Sequence, residues 1–232
     1  MRYQGILFDL DGTLVDSAHD LYMALNLTLT EVAFPVVSRT QVLEWVGNGI
    51  DVLVQRGLSG SNEINAELPP RLVTEAQERF AGHYRALVGQ YSLLYANVET
   101  VLAAFNHVPK AVVTNKSREF TLQLLDSLNL SQHFEVVVCG DDGQKKPAAE
   151  PLLSACLQLN IEPQDAIMVG DSKSDILAAQ AAEMPVIALK NGYNQGLDLA
   201  TFNPQYLCEG FLDIIPILNQ PLTKIGLKEH ND

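Results

Sequence analysis

Gly5-Ile6-Leu7-Phe8-Asp9-Leu10-Asp11-Gly12-Thr13-Leu14 runs from apolar residues straight into two carboxylates and a glycine. The apolar part is short and nearly continuous, which predicts a strand over residues 5–10 covered on both faces. Runs of the same kind recur at 110–114, 135–139, 166–170 and 185–189. Helical patterns lie between and after them, over 119–128, 148–159 and 174–182. Strands that alternate with helices need crossover connections, and right-handed crossovers build a parallel sheet. The expected fold class is therefore α/β, with a Rossmann-like parallel sheet as its core.

One segment breaks the alternation. After the first strand, roughly a hundred residues pass before the next, too many for a single crossover. Within them Leu21, Leu25 and Leu29 recur at helical spacing, Ser38 and Gln41 match a capping box, and Phe80, Tyr84 and Leu87 resume the helical pattern. The reading is an inserted all-helical cap domain of about four helices. The expected division is 1–16 plus 89–220 for the α/β catalytic core and 17–88 for the cap. Residues 221–232 are polar and patternless, and a frayed C-terminal tail is expected there.

The composition of the 232 residues, 47% hydrophobic and 19% charged, is that of a globular chain. Cys139, Cys156 and Cys208 are widely spaced and form no CxxC pair, so neither a disulfide framework nor a zinc ribbon is indicated. A reducing, cytoplasmic setting fits them. Met1 is followed by no basic segment or small-residue cleavage pattern, and no apolar run approaches the ~20 residues of a membrane span. A net charge of −13 repels polyanions, which argues against a nucleic-acid partner. A small phosphorylated metabolite is anionic too, so local lysines or a bound cation must reverse the sign inside any site that takes one. A monomer or a homodimer is expected.

Four stretches carry chemistry, each at the carboxyl end of an expected strand or just beyond it, where open α/β sheets bind ligands. In the first, Asp9 and Asp11 are two residues apart and share a direction on an extended chain, while Gly12 lets the chain turn away. A hard cation relieves their repulsion, one carboxylate can attack phosphorus, and the other can pass a proton to the leaving oxygen. An acidic turn capping a helix would look the same. In the second, Thr114 and Asn115 offer a hydroxyl and backbone N–H groups to phosphoryl oxygens, or they cap the next helix. In the third, Lys146 is followed by Pro147 and can hold a positive charge beside carboxylates, or it belongs to a solvated pair with Lys145. The fourth, Met168-Val169-Gly170-Asp171-Ser172-Lys173-Ser174-Asp175, places two carboxylates across a helix start, although Asp175 also suits the helix dipole.

Taken in order, these stretches resemble the haloacid dehalogenase superfamily of phosphatases, whose pattern is DxDGT, then a threonine or serine after the second hydrophobic strand, then a lysine, then GDxxxD. The resemblance covers about residues 2–220. Gly47-Asn48-Gly49 in the insert and Gly192-Tyr193-Asn194 after the last strand are similar to bacterial phosphoglycolate phosphatases in particular. The chain departs from those at Lys146-Pro147-Ala148-Ala149-Glu150-Pro151 and at Leu94-Tyr95-Ala96-Asn97-Val98, neither of which removes a catalytic carboxylate or Lys146.

The resemblance implies an aspartyl-phosphate mechanism with Asp9 as nucleophile and Asp11 as acid and base. It also implies Mg2+ on the carboxylates of Asp9 and Asp171 and the backbone carbonyl of Asp11. Asp175 then orients waters or Lys146 around the metal. Thr114, the N–H of Asn115 and Lys146 hold the phosphoryl group. Gly47, Asn48 and Gly49, a flexible turn between helices of the insert, are the candidate cap loop touching substrate, or an interhelical turn that makes no contact. The favoured substrate is 2-phosphoglycolate. A nucleotide, pyrophosphate or sugar phosphate, a phosphosugar mutase and a catalytically silent phosphate-binding protein are the alternatives. The five histidines form no ligand-like pair and there is no GxxxxGK loop, so zinc and P-loop readings have no support.

Overall fold

The computed structural model describes residues 3–194 and 196–220. The expected tail, 221–232, lies outside them. A six-stranded parallel sheet forms the core, from β1 (Gly5–Phe8), β4 (Lys110–Val113), β5 (Val136–Val138), β6 (Ala166–Gly170), β7 (Val186–Leu189) and β8 (Tyr206–Cys208), in the order β5-β4-β1-β6-β7-β8. A two-residue antiparallel ribbon, β2 (Val15–Asp16) with β3 (Leu93–Leu94), joins the two points where the chain leaves and re-enters the core.

Period-two alternation sorts the strand residues between the faces. Ile6, Phe8, Val112, Ile167 and Val169 point into one apolar cluster, and Leu7, Ala111, Val113 and Met168 point into the other. The first cluster is closed by α5 (Val98–Ala104), α6 (Arg118–Ser127) and α9 (Ile214–Leu218). The second is closed by α7 (Glu150–Leu159) and α8 (Lys173–Ala181). Both faces are thus covered, as continuous apolar strands require.

Chain direction reverses at the centre of this sheet. From β1 the chain steps to β4 and β5, then returns to the other side of β1 as β6 and moves outward through β7 and β8. The carboxyl ends of β1, β4 and β6 therefore flank one crevice at the switch point.

Four helices follow β2: α1 (Ala18–Glu31), α2 (Arg39–Trp45), α3 (Ile50–Ser59) and α4 (Pro70–Leu87). Leu21, Leu25 and Leu29 of α1 and Phe80 and Tyr84 of α4 are buried together, as their spacing predicts. The Ser38–Gln41 capping box opens α2, with both reciprocal bonds formed. These helices belong to the same apolar cluster as the upper face of the sheet, so their packing is continuous with the core. The strand β8 and the ribbon β2–β3 were not legible in the sequence: they are three and two residues long, too short for a periodicity to show. The first strand ends at Phe8 rather than Leu10, because the Leu10 carbonyl turns to accept from Leu14 and Val15. Among the described residues, no helix is long and apolar enough to cross a membrane.

Candidate active site

Asp9 stands one residue beyond β1, its N–H still bonded to the Val169 carbonyl at 2.9 Å, which fixes the direction of its side chain. Lys146 reaches it from the segment before α7, donating to Asp9 Oδ1 at 2.7 Å, Asp175 Oδ1 at 2.6 Å and the Val113 carbonyl at 2.6 Å. An ammonium has three N–H bonds, and all three are used here. Lys146 is almost wholly buried, which alone would lower its pKa; the charges of Asp175 and Asp9 outweigh that and hold it above the usual lysine range.

Asn115 sets the position of Lys146. Its Oδ1 accepts from Lys146 N at 2.8 Å, while Nδ2 donates to Lys146 O and to Gly47 O, both at 3.0 Å. One amide thereby fixes both the lysine and the loop between α2 and α3. The sequence reading expects the Asn115 backbone N–H at the phosphoryl group; its side chain is a bracket, a role that reading did not foresee. Thr114, at the end of β4, is buried, and its Oγ1 accepts from Lys116 N at 3.2 Å.

Asp171 follows β6 and is held on both oxygens, Oδ1 by the Thr13 hydroxyl and Oδ2 by Tyr193 N at 2.6 Å. Glycine is required on both sides of it: a Cβ on Gly12, whose φ is +92°, or on Gly192 would come within 2.3 Å of Asp171 Oδ2. Asp175 is the third residue of α8 and closes the capping box that opens it, its Oδ2 accepting from Ser172 N and Oγ. With its Oδ1 on Lys146, Asp175 accepts three hydrogen bonds, against two on Asp171.

Burial is the main electrostatic force on these groups. It pushes the Asp9 carboxyl up to about 7 against the pull of Lys146. It raises Asp171 well above the usual carboxylate range, and the charges of Asp9 and Asp175 add to the effect. Carboxylate oxygens of Asp9, Asp171 and Asp175 lie within 4.8 Å of one another. Three buried carboxylates beside one ammonium are a charge surplus that a divalent cation would neutralise, and an all-oxygen donor set suits a hard one.

Asp11 does not join this cluster through its side chain. Its carboxylate receives Lys116 Nζ at 2.9 and 3.0 Å and the Ser17 hydroxyl. It lines the mouth of a pocket together with Asp9, Thr114, Asn115 and Lys116 from the core and Leu21, Val46, Gly47, Gly49, Ile50 and Leu53 from the helical segment. Asn48 does not line that pocket, although its two flanking glycines do.

Sequence reasoning missed Lys116, Thr13, Ser17 and Tyr193. Lys116 was within reach of it: an acidic chain with 15 Lys and Arg residues places one directly after the Thr114-Asn115 strand end. Tyr193 stood in the Gly192-Tyr193-Asn194 motif, but its contacts with Asp16, Ala18 and Asp171 come from loops far apart in sequence and gave it no role there.

The sequence profile of the haloacid dehalogenase-like hydrolases matches residues 6–189. The chain is similar to a phosphoglycolate phosphatase of Yersinia pestis, 40% identical over 225 residues that cover 95% of each protein. A phosphoglycolate phosphatase of Salmonella typhimurium is 38% identical, with 94% of this chain and 93% of that protein covered. A crystal structure described as a predicted phosphoglycolate phosphatase from Haemophilus somnus superimposes with a TM-score of 0.87 at 32% identity, covering 94% of this chain and 99% of that one.

Proposed function

Because the chain belongs to the haloacid dehalogenase-like hydrolase family, and is a phosphatase acting on phosphoric monoesters, we propose that it hydrolyses 2-phosphoglycolate through a phosphorylated Asp9. The observation that carries this reading is that Asp9, held by Lys146, and Asp11 line one pocket.

In this mechanism an oxygen of Asp9 attacks phosphorus in line, and the bond to the ester oxygen breaks as Asp11 gives that oxygen its proton. Glycolate leaves. Asp11, now a carboxylate, takes a proton from a water molecule whose oxygen attacks the phosphorus of the aspartyl phosphate, releasing inorganic phosphate and restoring Asp9. Lys146 and the N–H groups beyond β4 offset the charge on the transferring group, and the Thr114 hydroxyl orients it. Magnesium is proposed on Asp9, Asp171 and the Asp11 carbonyl, with Asp175 contributing by fixing Lys146; when bound it would neutralise the carboxylates and polarise the phosphoryl group. Supporting this is the fit of three buried carboxylates to a hard cation.

Residues 17–88 are proposed as a cap that closes over residues 1–16 and 89–220 and excludes water from the pocket. Gly47 and Gly49 present backbone to the substrate there. A cytoplasmic monomer or homodimer without a nucleic-acid partner is the proposed setting, supported by three free buried cysteines and a charge of −13.

The test is phosphate release from a panel of small esters led by 2-phosphoglycolate, with and without magnesium, alongside Asp9→Asn. Magnesium-dependent release that favours 2-phosphoglycolate and falls by at least about a thousandfold in the variant is expected. A folded Asn variant with near wild-type turnover excludes the covalent step. Preference for another ester discards the substrate and keeps the mechanism.

A further inference from the structure

We propose that Lys116 determines specificity by binding a substrate carboxylate placed on the carbon next to the ester oxygen. The inference rests on the phosphatase mechanism above and adds a recognition residue that the mechanism does not need. The pocket wall supplied by the helical segment is apolar, made by Leu21, Val46, Ile50 and Leu53. Such a wall does not accept a second anionic group. Among the described residues the one ammonium lining the pocket is that of Lys116; Lys146 does not line it, and its three donors are spent.

Lys116 is built in rather than solvated. Its side chain is 3% exposed, its Nζ holds both oxygens of Asp11, and the ring of Tyr84 from α4 lies 4.9 Å away. That setting keeps the ammonium charged, fixed and poorly hydrated, the condition under which it binds an anion strongly.

Geometry then selects the substrate class. Asp11 must touch the ester oxygen to protonate it, and Lys116 touches Asp11. In a 2-phospho acid only the ester carbon and the carboxyl carbon separate that oxygen from the carboxylate oxygens, so the carboxylate falls beside the same ammonium. A longer acid carries its carboxylate past Lys116 toward the apolar wall, and a neutral ester offers the ammonium no carboxylate at all.

Lys116 also positions Asp11, so its loss will lower turnover of every ester; the informative quantity is the preference between esters. Wild type, Lys116→Met, Lys116→Arg and Lys145→Gln are each assayed for kcat/KM on 2-phosphoglycolate, 2-hydroxyethyl phosphate and 3-phosphooxypropanoate, with circular dichroism to verify folding. Lys145 is the control cation: it is more exposed and faces Asp51 at 3.8 Å. Wild type is expected to favour 2-phosphoglycolate. Lys116→Met should cut that preference over 2-hydroxyethyl phosphate by about 10- to 100-fold, the loss expected for one charged hydrogen bond. Lys116→Arg should retain part of the preference, and Lys145→Gln all of it. A folded Lys116→Met enzyme that is slower on all three esters by the same factor overturns the assignment while leaving the proposed substrate intact, and so does a preference that moves with Lys145. A wild-type enzyme with no preference for 2-phosphoglycolate overturns the substrate proposal and this assignment together.

Discussion

Asp9 and Asp171 are carboxyl groups whose charged forms the surrounding protein disfavours, and this has a measurable consequence. With Asp9 raised to about 7 from an ordinary 3.8, the native state holds a proton between those values that the unfolded chain has already released. Bound protons in excess in the native state mean that the stability of the metal-free protein falls as pH rises through that window. A divalent cation requires the ionised carboxylates, so it competes with those protons. Magnesium should therefore raise Tm clearly at about pH 8 and only weakly at about pH 5. Thermal denaturation with and without magnesium across that range measures it, and an increment independent of pH would rule out these carboxylates as the cation's ligands. At this scale the sequence was informative because strand ends are local: a strand followed by Asp, Thr or Gly-Asp identifies a crevice residue without knowledge of the fold. It failed for Lys116, whose partner Asp11 is 105 positions away, and it gave no sign that the Asn115 side chain brackets the Lys146 backbone.

The element that matters most for placing the four helices on the sheet is the start of α1. Asp20 is wholly buried there, and its carboxylate accepts from Gly89 N at 2.9 Å, Tyr91 N at 3.0 Å and Ser92 Oγ at 2.6 Å. The ribbon of β2 with β3 pairs the same two chain crossings, and the Tyr193 hydroxyl donates to Asp16 while accepting from Ala18 N at 2.9 Å. Both connections between the sheet and the four helices are thus held by one small set of bonds. Asp20→Ala strands three donors and should cost about 1–3 kcal/mol, read as a lower urea midpoint with an unchanged m-value. A midpoint within error of wild type would show that water replaces the carboxylate and that the crossing is loose. The helices themselves were legible from their i, i+4 apolar stripes and the Ser38 cap. Asp20 was not, since an acidic residue in a first helical turn is ordinary and only the returning chain gives it partners.

For the molecule as a whole, the helical segment and the upper face of the sheet share one apolar cluster that runs from Trp45 and Phe80 through Tyr84 and Phe120 to Val169. The proposed boundary between cap and core is then one of function and not of folding. Calorimetry should show a single transition with equal calorimetric and van't Hoff enthalpies, and two resolved transitions would establish separate cooperative units. The sequence by itself determined the parallel α/β core, the helical insert and the order of the chemical motifs, because period-two and helical patterning and strand-end residues are properties of neighbouring positions. Tertiary structure alone decided which lysine serves which carboxylate. Strand order brings β4 and β6 to either side of β1, and only that arrangement sets Lys146 on Asp9 across 137 positions and Lys116 on Asp11. Local sequence cannot carry this information, since the pairings depend on where the chain returns and on which buried charges are left without water to solvate them.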